Sequence, residues 1–169
     1  MKTLKISTFV LLVIFFVPAF SQHASFPALE LYTMDGTKIM FSDVTNNDQP
    51  MVVIFWKSNL KECCNQLCAI NELYSENLKA KGVKVVAVCI DCSGGFQHIK
   101  PFVYGHNFDF EIYIDLNGDI RRSMNVPSVP FTILYDKNMQ PYCKWAGYCS
   151  GIEHLLSDKI EDYLAISDD

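Results

Sequence analysis

Cysteine is the residue whose number and spacing point most directly to chemistry in this chain. Seven of the 169 residues are cysteines: Cys63, Cys64, Cys68, Cys89, Cys92, Cys143 and Cys149. A thiolate attacks disulfides and binds soft metals. On a helix, Cys64 is turned by about 100° from Cys63, while Cys68 lies on the face of Cys64 with Cβ atoms about 5–6 Å away. Cys64 and Cys68 therefore have the spacing of a two-thiolate metal site. Cys89-Ile90-Asp91-Cys92 cannot close on itself within an extended strand, because bridged Cα atoms lie within about 7 Å. It closes only if Asp91-Cys92 turns; otherwise Cys92 reaches the first helix and pairs with Cys63 or Cys64. Cys143 and Cys149 are held apart by an extended strand. An odd count leaves at least one thiol free or shared between chains.

Strands and helices must position these thiols. Met51 to Trp56 is a continuous apolar run, the pattern of a central strand buried on both faces. Leu60 to Ala80 has helical spacing with Leu67, Ile70, Leu73 and Leu78 apolar, and Gly82 stops it. Val83 to Ile90 is a second buried strand, so strand, helix and strand form a right-handed crossover between parallel neighbours. Before them, Phe26 to Phe41 reads as a β-hairpin around Met34-Asp35-Gly36. After them come a helix over Phe96 to Tyr104, a strand over Phe110 to Ile114 and a helical turn over Ile120 to Asn125. Phe131 to Tyr135 and Tyr142 to Ala146 form an antiparallel hairpin, and a terminal helix covers Ile152 to Ala165. The fold class is α/β, a central mixed β-sheet flanked by helices.

The chain opens with Lys2 and Lys5, an apolar run from Ile6 to Val17, and Ala19-Phe20-Ser21. This is the pattern of a signal peptide over residues 1–21, cleaved to leave a single domain over 22–169 that starts at Gln22. The run is too short for a membrane span of about 20 residues, and no later run is long enough. The expected location is exported, periplasmic or secreted, where disulfides are permitted. The whole chain carries a net charge of −5; loss of Lys2 and Lys5 leaves 12 basic residues against 19 acidic ones, or −7. No basic patch is visible, which argues against nucleic acid as a partner. No residue pattern demands a cofactor. His98, His106 and His154 read as surface residues, and neither Asp91 nor Asp115 has a neighbour marking it as half of an acid–base pair.

Several motifs in order resemble one family. Phe26-Pro27-Ala28-Leu29-Glu30-Leu31 and Asp35-Gly36 match an N-terminal hairpin, and Phe55-Trp56 precede an active-site turn. Asn71-Glu72-Leu73-Tyr74 lie on the first helix. Val126-Pro127-Ser128-Val129-Pro130-Phe131-Thr132 match a Val-Pro-x-x-Pro-Thr region, and Gly147 follows the last strand. Over nearly the whole mature chain the sequence resembles the exported redoxin group of the thioredoxin-like superfamily, which includes thiol–disulfide oxidoreductases and thiol-specific antioxidant relatives.

The resemblance implies a thioredoxin-like fold, protein or peptide thiols and disulfides as partners, and a cis-proline at Pro130. It also implies a substrate groove at Trp56, Leu60, Val129 and Pro130, with Trp56 packing beneath the turn. The family's Cys-x-x-Cys is Leu60-x-x-Cys63 here. Leu60 stands in place of the nucleophile, Gln66 where relatives often carry a Glu, and Cys68 where many carry a Pro. Peroxidase relatives have, three residues before their reactive Cys, a Thr that hydrogen-bonds it; Leu60 offers no such bond. Three functions follow as alternatives: an atypical oxidoreductase using Cys63, a catalytically inactive binding module, and a peroxiredoxin-like peroxidase with Cys63 reactive. For the first, Cys63, Cys64, Cys92 and Cys149 are expected to gather near one rim and supply a relocated redox pair. The alternative arrangement is one or two structural disulfides plus buried thiols.

Overall fold

A computed structural model describes residues 25–91 and 96–167. Residues 1–21, expected from sequence to be a signal peptide, and Cys92 lie outside the described residues. The elements are β1 (Glu30–Thr33), β2 (Lys38–Met40), β3 (Met51–Trp56), α1 (Lys61–Leu73), β4 (Lys84–Cys89), α2 (Phe96–His106), β5 (Glu111–Ile114), α3 (Asp119–Ser123), β6 (Phe131–Tyr135), β7 (Pro141–Ala146) and α4 (Ile152–Ser167).

One mixed sheet of seven strands has the order β2-β1-β5-β4-β3-β6-β7. The central β3 is parallel to β4 and antiparallel to β6. All six of its residues are buried, as its unbroken apolar run requires. Its side chains alternate between two cores. Val52, Ile54 and Trp56 pack with residues of α1, α2 and α4, including Leu67, Ile99 and Leu156. Met51, Val53 and Phe55 pack on the opposite side with Phe26, Phe41 and Ile120. The N-terminal hairpin forms as the sequence leads one to expect: Leu31 pairs with Ile39, and the Thr33 and Thr37 hydroxyls donate to the Asp35 carboxylate in the turn. Among the described residues no helix is long and apolar enough to cross a membrane.

The first helix departs from its expected extent. Regular α-helix ends at Leu73, and Tyr74–Leu78 continue as a π-turn, with the Lys79 amide donating to the Tyr74 carbonyl at 3.0 Å. The extra residue per turn is the kind of local insertion that re-aims a helix, and here it leaves Leu78 fully buried against the core. Gly82 then reverses the chain at φ +74°. A Cβ there would approach Gln49 Oε1 to 3.2 Å, so both conformation and space favour glycine.

Candidate active-site turn

β3 delivers the chain to the sheet edge at Trp56, where the residues Lys57, Ser58 and Asn59 turn it into α1. Leu60 is the N-cap, with extended backbone (φ −111°, ψ 116°) and no side-chain cap. A Ser, Thr, Asn or Asp there would satisfy an orphan amide worth roughly 1 kcal/mol; a leucine cannot. Its side chain is 37% exposed. The sequence thus places an apolar group at a position that helix chemistry fills with a polar one.

The sheet edge next to this turn comes from β6. Phe55 pairs with Phe131, so Trp56 lies one step from Pro130 and the turn runs beside Val129. The Val129–Pro130 peptide is cis. Val129 is half-buried and Pro130 buried, and the Pro130 carbonyl accepts from the Gly147 amide at 2.9 Å. Of the four residues expected to form a groove, Leu60 and Val129 therefore offer surface. Trp56 is fully buried; it lies beneath the turn, its ring 5.4 Å from that of Phe102.

The thiols divide by environment. Cys63 sits in the first turn of α1 on its buried face, 1% exposed, with its sulfur facing the Lys57 amide. Burial pushes this thiol up, and neighbouring Cys64 and Glu62 add to the rise against the lowering effect of that amide. Cys64 is half-buried and donates to the Ser58 carbonyl at 3.5 Å. It is raised by burial and then by the Cys68 thiol. Cys68 is raised by burial and by Glu72. At neutral pH these three are thiols rather than thiolates, which is the less nucleophilic form.

Cys149 approaches α1 from the opposite end of the sequence. Its backbone amide donates to Gln66 Oε1 at 3.5 Å, one helical turn beyond Cys63. Gln66 is itself 1% exposed and donates through Nε2 to Thr132 Oγ1 of β6 at 3.0 Å. A neutral amide can serve both partners, donating to one and accepting from the other. A carboxylate at this depth would carry a desolvation penalty and no donor for Thr132. Cys143 lies in β7 opposite Leu134, well along the strand from Ala146 and the Cys149 turn.

Cys89 is a site residue that the sequence alone does not single out. It is fully buried at the end of β4, paired in register with Trp56, and in the same core cluster as Cys63. The backbone of Asp91 and of Ser58 faces its sulfur. The Ser58 hydroxyl donates to Asp91 Oδ2 at 3.0 Å, fastening the turn to the end of β4. The available signal was the alternation along Val85, Ala87 and Cys89, which puts all three on the α1 side. No disulfide joins the six described cysteines, and no group of three or more His, Cys, Asp or Glu among the described residues is arranged to hold a metal.

Burial raises the Cys89 thiol from its ordinary 9.0 to about 12, and Tyr113 is raised to about 12 by burial and by Glu111. Above about pH 9 the unfolded chain releases the Cys89 proton that the folded chain still holds, so stability is full below that pH and falls as pH rises toward 12. Urea midpoints should therefore drop between about pH 8 and pH 11, and Cys89→Ala should flatten part of that drop. A wild-type midpoint that stays level would contradict the burial of these groups.

Comparison with known proteins agrees with this geometry. Residues 22–141 match the model of the AhpC/TSA family. The thiol–disulfide oxidoreductase ResA of Bacillus thuringiensis subsp. konkukian is 29% identical over 112 residues, which span 66% of this chain and 62% of that protein. The solution structure of a thioredoxin-like protein from Porphyromonas gingivalis superposes with a TM-score of 0.71 at 32% identity, covering 82% of this chain and 90% of that one. A secreted disulfide oxidoreductase of Mycobacterium tuberculosis shares the fold, with a TM-score of 0.65 at 18% identity over 80% of this chain and 96% of its own. A seven-stranded sheet with the turn from β3 into α1 set against the Val129–Pro130 edge, together with these likenesses, establishes a thioredoxin-like protein; the chain belongs to the AhpC/TSA family.

Proposed function

We propose that this chain is an exported thiol–disulfide oxidoreductase with an atypical site, in which Cys63 is the covalent centre and Leu60 replaces the usual nucleophile. The observation that carries the proposal is the placement of Cys63 and Cys64 in the first turn of α1, against the sheet edge formed by Val129 and Pro130. Cys63 attacks a disulfide of a protein or peptide partner, forming a mixed disulfide and releasing one partner thiol. A second thiol of this chain then attacks the Cys63 sulfur and releases the other. Cys64, Cys92 and Cys149 are the resolving candidates suggested by sequence. Leu60 and Val129 would contact the extended partner segment, while Trp56 and Pro130 shape the groove from beneath. Export rests on the residues of segment 1–21 and fits the secreted relative.

A second reading has its own support. Cys63 is almost wholly buried and its thiol is raised, while the exposed Leu60 offers an apolar contact where a nucleophile would stand. These features suit a module that binds an extended peptide without reacting.

Reduction of insulin disulfides, driven by a small dithiol, separates the two. Under the oxidoreductase reading, Cys63→Ser should lose about tenfold or more of the wild-type rate. A Cys63→Ser protein as active as wild type would dispose of the Cys63 mechanism, and a wild type no faster than the dithiol alone would favour the binding module.

A further inference from the structure

The turn between β3 and α1 threads between sulfurs. The Lys57 amide faces Cys63, the next amide, Ser58, faces Cys89, and the Ser58 carbonyl accepts from Cys64. Both sulfurs therefore lie against the Lys57–Ser58 segment of this turn. The sheet fixes this placement from the other side: Trp56 pairs with Cys89, and the Ile90 amide donates to the Trp56 carbonyl at 2.9 Å. Cys63 and Cys89 also belong to one packed cluster with Trp56. Cys64 is directed elsewhere, toward the Ser58 carbonyl and the Cys68 side of the helix. Cys149 meets α1 through its backbone at Gln66, and its sulfur is directed to the Ser150 carbonyl at 3.8 Å.

We infer that Cys89 is the resolving thiol, so that the redox couple of this protein is a Cys63–Cys89 disulfide joining the first turn of α1 to the end of β4. The inference rests on the oxidoreductase reading above and names the partner of Cys63 within it. In the first step the Cys63 sulfur bonds to one sulfur of a partner disulfide. The partner S–S bond breaks, and the departing thiolate takes up the Cys63 proton. In the second step the Cys89 sulfur bonds to Cys63, the mixed disulfide breaks, and the second partner thiolate takes up the Cys89 proton. The partner gains two electrons and two protons, and the Cys63–Cys89 pair loses them. Cys63 is 1% exposed while Asn59 and Leu60 of the same turn are exposed, so opening of this one turn would give the partner access.

The test uses the reduced full-length protein with oxidised glutathione as the partner disulfide, followed by alkylation and peptide mapping. Cys63, Cys64 and Cys68 share one tryptic peptide, and Cys89 and Cys92 share another, so fragmentation spectra make the assignment. The expected product is a Cys63–Cys89 bond. In Cys89→Ser, Cys63 should instead accumulate as the glutathione mixed disulfide, with release slowed about tenfold or more. Mapping wild type needs no variant, so a misfolded Cys89→Ser protein leaves the test intact. A bond from Cys63 to Cys64, Cys92 or Cys149 overturns the inference and leaves the oxidoreductase reading standing. Cys63 recovered as an unmodified thiol at every glutathione ratio overturns both.

Discussion

Leu60→Cys is expected to turn a slow protein into a fast disulfide reductase, raising the insulin-reduction rate about tenfold or more above wild type. Residue 60 is the N-cap of α1, exposed and three positions before Cys63. A thiol there faces the positive end of the helix macrodipole, which stabilises a thiolate and lowers its pKa. None of the thiols of α1 has that advantage: Cys63, Cys64 and Cys68 are all raised by burial. The introduced thiol would attack first and Cys63 would resolve, without opening of the turn. The same substitution removes exposed apolar surface, so a folding defect is not expected. Mass mapping should find the introduced thiol bonded to Cys63 in the oxidised variant. A variant that folds, yet neither forms that bond nor gains activity, would show that the turn does not have the geometry described.

Trp56→Ala should destabilise the protein by about 3–5 kcal/mol, the usual cost of deleting a large buried aromatic. Trp56 is fully buried in the central strand, packs on Phe102 of α2, and belongs to the cluster that holds Cys63 and Cys89. Its Nε1 is buried and has no hydrogen-bond partner among the described residues. Trp56→Phe therefore keeps much of the packing while removing an unsatisfied donor, and should cost distinctly less than alanine. Urea unfolding followed by far-ultraviolet circular dichroism gives both values. Alkylation of Cys63 should also accelerate in Trp56→Ala, because the floor of the turn is lost. A cost below about 1 kcal/mol would mean that Trp56 does not support the site.

Much of this frame is legible in the residues because local pattern and tertiary role agree. Met51 to Trp56 is apolar at every position and is buried at every position. Gly82, at φ +74°, stops the crossover where the sequence places a stop. The π-turn over Tyr74–Leu78 was not legible, since the apolar spacing through Leu78 is compatible with an unbroken helix; what decides is how Leu78 fits the core. The neighbours of Cys63 were legible only in part. Cys64 follows from helix geometry, whereas Cys149 meets α1 through its backbone amide at Gln66 and not through its sulfur. Cys89 depends on the register between β3 and β4 and on how the Lys57–Asn59 turn folds back over that register, which are tertiary facts. By sequence Gln66 is a carboxylate lost. Its buried bonds to Thr132 and to the Cys149 amide give it a positive role, tying α1 to β6 and to the turn after β7.

The proposed chemistry turns on Cys63 being a redox-active thiol. Its most direct test is a titration of the full-length protein against graded ratios of reduced and oxidised glutathione, quenched by alkylation in denaturant and read by intact mass. One reversible two-electron transition is expected, in which Cys63 and one other cysteine become protected from alkylation together. Full alkylation of Cys63 after equilibration with the most oxidising buffer would contradict it.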